Sequence, residues 1–242
     1  KQIGSVTYAS VQSCRALHEE KADWDLVVID ECHHVADANN SYTELLDRLD
    51  PCPVLGLTAT PYRLDAKDLV FTRTYHEVRA IELIKAGYLA KPVYLPFSTG
   101  QHYALDKRGS KADFTSKSLR MLDNDDRNQA LVDLMVQNAD KFGQMMVFAI
   151  DVENAENLLE MLEDQTSFRC ALITGTTDSF SRDSIRDKMA AGSVDVVINV
   201  AVFTEGFDAP SVNTVIMARP TASKSLMIQM IGVLCLHMKM II

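Results

Sequence analysis

Short apolar runs of strand length recur along the chain and alternate with polar segments of helical period. The runs are SVTYAS, DLVVID, PVLGLTA, QMMVFAI, CALIT, VDVVINV and NTVIMA. Several are continuously apolar, which is typical of strands buried on both faces of a parallel sheet. Helical spacing is clearest in ENAENLLEMLEDQ and in SFSRDSIRDKMAAG, which ends at Gly192. This alternation of strand and helix predicts an α/β fold built on open parallel sheets.

The alternation is interrupted once, by a polar stretch over residues 98–126 that contains no convincing strand. We therefore expect two α/β lobes, 1–95 and 127–242, joined by a linker over 96–126. A solvated connection is the preferred interpretation of this stretch, although its basic residues could also contact a phosphate backbone. These basic residues are Lys107, Arg108, Lys111, Lys117 and Arg120.

Charge and cysteine content limit the classes of function. The formal net charge of −9 argues against binding nucleic acid by bulk electrostatics, though it leaves room for a local basic groove. The five cysteines are scattered and form no C-x-x-C pair, which favours a reducing compartment and disfavours a four-cysteine zinc cluster. No apolar run approaches the roughly 20 residues of a bilayer span. We expect an intracellular monomer without a membrane partner, cytoplasmic or alternatively mitochondrial or nuclear.

Two carboxylates, a cysteine and two histidines directly follow one apolar run, in VVIDECHH over 27–34. Asp30 and Glu31 thus fall at the carboxyl end of a predicted parallel strand, where open α/β sheets bind their ligands. An Asp at this place holds Mg²⁺ in P-loop nucleotide hydrolases, and the adjacent Glu can orient and deprotonate a water molecule. Zinc is the competing interpretation. It is disfavoured because consecutive side chains point to opposite sides and no distant Cys/His pair completes a site.

Hydroxyl groups follow the next predicted strand. In LGLTATPYRLD, Thr58 and Thr60 stand at the end of the strand and Pro61 stops it. Two hydroxyls beside a nucleotide site could hydrogen-bond the side of His33. A Thr-rich turn after a buried strand is the plainer alternative.

Two later stretches carry further candidate residues. The loop T-E-G-F-D separates two predicted strands in VVINVAVFTEGFDAPSVNTVI. In this loop Thr204 and Gly206 suit backbone contact with a polymer or a phosphate, and Asp208 could accept hydrogen bonds from a ribose hydroxyl. The stretch SLMIQMIG then places Gln229 and Gly232 on a helix near the end.

DECHH, TATP, TEGFD and Q-M-I-G occur in the order and approximate spacing of motifs II, III, V and VI of superfamily 2 helicases. The resemblance covers essentially the whole chain. LGLTATPYRLD, IKAGYLAKPV, LITGTT and NVAVFTEGFDAP are most similar to the DExH group, which includes bacterial DNA-repair helicases, restriction-enzyme translocase subunits and mitochondrial relatives. The resemblance implies two RecA-like lobes that bind ATP and Mg²⁺ between them and move along nucleic acid, with DNA the preferred polymer and RNA the alternative.

The resemblance also implies a role for each matching residue. Asp30 would bind magnesium–ATP and Glu31 would be the catalytic base. The residues that would couple hydrolysis to movement are His33, Thr58 and Thr60. Those that would contact nucleic acid are Ser10 and Gln12, in TYASVQS, and Thr204. Those at the ATP cleft are Gly206, Asp208 and Gln229. Cys32 and His34 would be packing or surface residues.

Two departures from the family pattern bear on activity. The chain contains no G-x-x-x-x-G-K-[ST] loop, and Gly232 is followed by VLCLH where the family has arginines that stabilise transferred phosphate charge. A one-residue gap aligns VLCLH with R-x-L-R-L-H, which deletes the first arginine and puts Cys235 in place of the second. We therefore expect a first lobe truncated at its N-terminus, a second truncated at its C-terminus, and no hydrolysis of ATP at a motor-like rate by this chain alone.

Two alternatives stay open. One is a non-hydrolysing relic that binds nucleic acid or a partner protein. The other is the motor subunit of a restriction nuclease, with the nuclease elsewhere.

Overall fold

The computed structural model describes residues 6–15, 24–35, 41–49, 52–59, 69–71, 73–100, 102–107, 113–202, 211–232 and 240–241. The chain divides into two compact units, Lys1–His76 and Glu77–Ile242. Each unit contains a parallel sheet, which confirms the predicted α/β class. The predicted lobe limits at residues 95 and 127 stay predictions.

The first unit is built on a two-stranded parallel sheet. Strand β1 (Val27–Ile29) pairs with β2 (Val54–Gly56) in a register that sets Val28 opposite Leu55. The helical elements described in this unit are α1 (Val11–Arg15), α2 (Ser41–Leu49) and a 3-10 turn over Cys32–His34.

One face of this sheet is buried and the other is open. Ile29, Cys32 and Val35 form the buried cluster, with Phe71 packed against it. On the opposite face the side chains of Val28 and Leu55 are 52% and 41% exposed. The prediction of strands buried on both faces is therefore wrong for this sheet, because apolar composition does not say whether a second layer covers it.

Residues 6–10, within the run SVTYAS, form no strand. Tyr8 is 94% exposed, so the run has no sheet to join. Ser10 instead begins α1, since its Oγ accepts a hydrogen bond of 3.1 Å from the backbone N–H of Ser13. A serine that can cap a helix thus outweighs the β propensity of the residues before it.

The second unit contains a parallel sheet in the order β4-β5-β3-β6-β7. Its strands are β3 (Met145–Phe148), β4 (Cys170–Ile173), β5 (Val196–Asn199), β6 (Thr214–Ile216) and β7 (Met240–Ile241). Its helices are α3 (Ala80–Lys85), α4 (Ser116–Arg120), α5 (Asp125–Gln137), α6 (Ala139–Phe142), α7 (Val152–Gln165), α8 (Ser179–Ala190) and α9 (Lys224–Gly232).

The central strand of this sheet is buried on both faces, as its apolar run predicts. Met145 and Val147 pack into one core with residues of α5 and α7. Met146 and Phe148 pack into a second core on the other face. All four side chains are at most 2% exposed. Two full layers therefore enclose β3, as in a doubly wound sheet.

The predicted helices match α7 and α8. Asp151 caps α7 and Asp178 caps α8, each accepting a hydrogen bond from a backbone N–H in the first turn. Gly192 has a φ of +66° and ends α8, donating to the carbonyl of Met189 at 2.9 Å. Glycine suits this position because side chains are strained at positive φ. In the described part of the chain, no helix is long and apolar enough to cross a membrane.

Part of the polar stretch packs onto the second unit. Leu119 and Leu122 are 3% and 4% exposed and form a cluster with Ile150. Lys107 and Phe114 form an isolated antiparallel bridge, and the hydroxyl of Thr115 caps α4. The interpretation as a solvated connection is therefore wrong for this part, because a few apolar side chains among many polar ones are enough to anchor it.

Candidate nucleotide site

The carboxyl ends of β1 and β2 are held together beyond the strands themselves. The N–H of Leu57 donates to the carbonyl of Ile29 at 2.8 Å, and the N–H of Cys32 donates to the carbonyl of Leu57 at 2.9 Å. These two bonds clamp the chain on either side of Asp30 and Glu31. The two carboxylates thus lie on a backbone segment held at the carboxyl ends of the strands, where open parallel sheets bind ligands.

Glu31 has a left-handed backbone, with φ 49° and ψ 46°. For an L-residue other than glycine this conformation costs roughly 1–2 kcal/mol. It is held by the N–H of Glu31, which donates to Asp30 Oδ1 at 2.9 Å, and by the 3-10 turn that follows. The reversal of the chain at Glu31 leaves Asp30 exposed and turns His33 into the interior.

His33 links the two strand ends through one ring nitrogen. Its Nδ1 lies 2.9 Å from Thr58 Oγ1 and 3.2 Å from Glu31 Oε2. The Thr58 hydroxyl can donate or accept, so the direction of its bond with His33 follows the tautomer of the ring, whereas the Glu31 carboxylate only accepts. The His33 side chain is 1% exposed and that of Glu31 is 35% exposed. A buried imidazole therefore joins an accessible carboxylate to the end of the neighbouring strand.

Cys32 belongs to the core under the site. Its thiol packs against Gly56, where an added Cβ would lie 2.7 Å from Sγ. Burial raises the pKa of this thiol, and the charges of Glu31 and Asp30 raise it further against one backbone hydrogen bond that lowers it. Zinc binds the thiolate, so this thiol is a poor zinc ligand. Among the described residues, no group of three or more His, Cys, Asp or Glu is arranged to hold a metal.

Asp30 fits a magnesium–nucleotide complex. Mg²⁺ in nucleotide sites is usually held by one or two carboxylates, with phosphate oxygens and water completing its coordination. Asp30 offers one exposed carboxylate at the correct end of the sheet, next to a second carboxylate that is partly buried. These carboxylates suit a Mg²⁺ ion that is also bound by nucleotide phosphates. They do not suit a site in which the protein alone supplies the ligands.

The other candidate residues of the first unit lie on or near α1. The Ser10 hydroxyl caps that helix and also donates to Ser13 Oγ at 2.9 Å, while Ser10 and Gln12 are both exposed. Both side chains are accessible to a ligand. Thr60 lies outside the described residues, so the structure brings together His33 and Thr58 from the predicted coupling set.

The second unit holds the remaining candidates only in part. Thr204, Gly206 and Asp208 lie outside the described residues, and Gln229 is described by its backbone, which is helical in α9. The loop that leads toward them starts at Asn199, whose Oδ1 accepts from the N–H of Val202 at 3.1 Å. Asn199 is completely buried, and the sequence analysis missed it.

Helix α9 has a capping residue that sequence reasoning also missed. The Ser223 hydroxyl accepts from the N–H of Leu226 at 3.2 Å, and the N–H of Ser223 donates to Thr221 Oγ1 at 3.0 Å. A serine directly before a helix was the available signal. Asp113 accepts hydrogen bonds from Thr221 and Ala222, just before this helix. It is 108 and 109 residues away from them in the sequence, so no local pattern could indicate the contact.

Two family models match the chain. The model of the helicase conserved C-terminal domain matches residues 126–232, and that of the type III restriction enzyme res subunit matches residues 1–63. The two matches fall on different structural units.

Curated relatives match almost all of the chain. A candidate ATP-dependent helicase of Saccharomyces cerevisiae, IRC3, is 28% identical over 240 residues, which covers 94% of this chain and 34% of that protein. The DNA 3'-5' translocase XPB2 of Sulfurisphaera tokodaii is 23% identical over 267 residues, which covers 96% of this chain and 60% of that protein. The chain thus spans less than two thirds of the length of either relative.

The fold is similar to that of a solved fragment of a restriction-enzyme subunit. The structure of a fragment of a candidate HsdR subunit of a type I restriction enzyme from Vibrio vulnificus YJ016 aligns with a TM-score of 0.62 and 22% identity. The alignment covers 95% of this chain and 46% of that one. Its likeness supports RecA-like lobes. With a helicase C-terminal match over 126–232, a res-subunit match over 1–63 and a helicase among its relatives, the chain is similar to superfamily 2 helicases in both of its units.

Proposed function

We propose that this chain is the equivalent of part of an ATP-dependent DNA helicase or translocase. The observation that carries the proposal is the strand-end group of Asp30, Glu31, His33 and Thr58, joined by two hydrogen bonds and one ion-pair contact at the carboxyl ends of β1 and β2. DNA is the proposed polymer because XPB2 is named a DNA translocase and the HsdR subunit belongs to a restriction enzyme. The activity proposed is that of a longer protein of which this chain is the equivalent part.

Each residue of the group has a separate task. When bound, Mg²⁺ neutralises negative charge on the nucleotide phosphates. Asp30 would hold that ion through its exposed carboxylate. Glu31 would accept a proton from the attacking water, with its carboxylate oriented by the Nδ1–H of His33. Because the same Nδ1 contacts Thr58 at 2.9 Å, a change at Glu31 is transmitted to the end of β2.

Contact with DNA would be non-specific. Ser10 and Gln12 are exposed polar groups suited to phosphate and sugar contacts, and such contacts carry little base information. The net charge of −9 opposes binding. Weak binding whose affinity falls steeply with salt is therefore expected, and titration of labelled single-stranded DNA at two salt concentrations measures it. Tight binding that ignores salt would contradict this interface.

The catalytic assignment is tested in a protein that supplies a phosphate-binding loop. A G-x-x-x-x-G-K-[ST] strand–loop–helix segment placed ahead of Lys1 should give Mg²⁺-dependent ATP binding and slow turnover. Inserting Arg after Gly232 together with Cys235→Arg should then raise turnover, since an arginine finger contributes roughly 10³–10⁵ in rate.

Substitution of the two carboxylates then separates their roles. Glu31→Gln should keep nucleotide binding and lower the DNA-stimulated rate by about 10²–10⁴, as expected for a general base. Asp30→Asn should weaken the Mg²⁺ dependence of binding. Asp25→Asn is the matched control, because Asp25 is an exposed carboxylate just before the amino end of β1, away from the carboxyl end that carries Asp30. Equal effects of Glu31→Gln and Asp25→Asn would reject the assignment.

A non-hydrolysing binding module is the second candidate. The sequence favours it through VLCLH in place of the arginine pattern. ATP turnover by the 242-residue chain itself, abolished by Glu31→Gln, would exclude this candidate.

The motor subunit of a restriction nuclease is the third candidate. It is favoured by the match of the res-subunit model to residues 1–63. ATP-dependent cleavage of DNA in the presence of a partner nuclease would support this candidate.

A further inference from the structure

The carboxylate of Asp113 collects three hydrogen bonds from one loop of the second unit. It accepts from Arg219 Nη2 at 2.8 Å, from Thr221 Oγ1 at 2.9 Å and from the N–H of Ala222 at 2.8 Å. Asp113 is 106 to 109 residues away from these donors in the sequence. The loop it binds lies between β6 and α9.

The bonds continue from this loop into the helix. Thr221 gives its hydroxyl proton to Asp113 and accepts at the same oxygen from the N–H of Ser223, at 3.0 Å. Ser223 in turn accepts from Leu226 through its hydroxyl at 3.2 Å and from Met227 through its carbonyl at 3.0 Å. One unbroken chain of hydrogen bonds thus runs from Asp113 to the first turn of α9.

The Asp113 end of this chain is itself fixed. The next residue, Phe114, bridges to Lys107, and the buried Leu119 and Leu122 hold the segment on the second unit. The side chains of Arg219 and Asp113 are 23% and 20% exposed, so their ion pair is largely shielded from water. Exposed ion pairs stabilise little, whereas removing one partner of a shielded pair leaves an uncompensated charge and is costly.

The carboxyl group of Asp113 is in the charge state that these three hydrogen bonds require. Burial raises the pKa of Asp113, but hydrogen bonds from Ala222, Phe114 and Thr221 and the charge of Arg219 outweigh it, so that the pKa lies below its ordinary value. The carboxylate is therefore ionised at neutral pH and able to accept all three bonds.

We propose that Asp113 is a positioning residue that sets the start of α9, and with it the helix that carries Gln229. The proposal rests on the proposed function in one respect, namely that Gln229 acts at the ATP site. Asp113 lies in the stretch through which the chain enters the sheet of the second unit. Because this stretch is anchored on the second unit, Asp113 fixes the start of α9 through Thr221 and Ser223, and these bonds form a route from the anchored stretch to the helix that carries Gln229.

Hydrogen exchange with mass spectrometry on the full chain tests this route without nucleotide or DNA. Asp113→Ala should speed exchange of the amides in 222–228 by about tenfold or more, because three anchoring bonds are lost. Asp195→Ala is the matched control. Asp195 also accepts three hydrogen bonds, from the backbone N–H, Nε and Nη2 of Arg169 at 2.7 to 2.9 Å. These bonds lie at the amino ends of β4 and β5, away from α9. Asp195→Ala should leave 222–228 unchanged.

Thr221 distinguishes a specific route from general loss of stability. Thr221→Ser keeps the hydroxyl and should exchange as the parent does, whereas Thr221→Val keeps the shape and should behave as Asp113→Ala. Unchanged exchange at 222–228 in Asp113→Ala, or an equal increase throughout the second unit, would overturn the proposal. An Asp113 effect in a protein without ATPase activity would leave this route standing while the proposed function fails.

Discussion

At the scale of single residues, Glu31 combines the proposed catalytic carboxylate with a left-handed backbone. The strain is maintained by the clamp of Leu57 on both sides of the residue and by the bond to Asp30. Strained backbone at a reactive position is common, because the surrounding fold can hold a side chain in a direction that relaxed backbone would not give. The conformation leaves the Glu31 carboxylate partly exposed while the His33 ring is buried.

The strain at Glu31 can be measured with two substitutions that both remove the carboxylate. Glu31→Gly should be about 1 kcal/mol more stable than Glu31→Ala, since glycine accepts a φ of 49° without strain. Urea unfolding followed by fluorescence of Trp24, the one tryptophan of the chain, reports on this unit. Ala86→Gly in the second unit, followed by circular dichroism, is the control, because the φ of −80° at Ala86 gives glycine no such advantage. Equal stability of the two Glu31 variants would mean that the strain is absent.

The bond between His33 and Thr58 is the second feature at this scale. A double-mutant cycle of His33→Ala and Thr58→Ala should give a coupling free energy of about 1 kcal/mol, typical of a hydrogen bond in a buried site. Urea unfolding with the Trp24 signal measures each variant. Thr58→Ser keeps the hydroxyl and should keep the coupling. A coupling near zero would remove the link between the two strand ends.

At the scale of elements, the sequence predicted the second unit better than the first. The runs that became β3, β5 and β6 are mostly apolar and are enclosed by two layers, so their pattern and burial agree. Val28 belongs to an equally apolar run, yet it is 52% exposed, because burial depends on what covers the sheet. The strand-end position of Asp30 was predictable from its neighbours, whereas the Asp113 contact joins residues too distant for any local pattern.

Gly56 shows how tightly the buried face of the first sheet is packed. The Cβ of an alanine there would lie 2.7 Å from Cys32 Sγ and 2.8 Å from Phe71 Cζ. Gly56→Ala should therefore destabilise the first unit by about 1–3 kcal/mol, the usual range for overpacking. Urea unfolding with the Trp24 signal measures the loss.

Gly175 provides the comparison for this substitution. A Cβ at Gly175 meets no atom within 4 Å, so Gly175→Ala should change stability by less than about 1 kcal/mol, measured by circular dichroism. A loss at Gly56 as small as the one at Gly175 would show that Gly56 has more room around it than the contacts of Cys32 and Phe71 indicate.

At the scale of the whole molecule, the two units differ in the size of their cores. Within the described part of the first unit, the buried cluster consists of Ile29, Cys32 and Val35. In the second unit, two clusters lie on opposite faces of the sheet, one around Met145 and one around Met146. Burial of apolar surface is the main favourable term in folding, so the second unit should be the more stable of the two.

This difference predicts two unfolding transitions in the chain. Trp24 lies in the first unit, so its fluorescence should change at a lower urea concentration than the far-ultraviolet circular dichroism, to which the helices of the second unit contribute most. Gly56→Ala should move only the fluorescence transition, and a core substitution such as Leu158→Ala should move only the circular dichroism transition. Leu→Ala in a core costs about 2–5 kcal/mol, enough to resolve the shift. Coincident transitions that both substitutions move together would show that the two units unfold as one cooperative body, and the assignment of separate cores would fail.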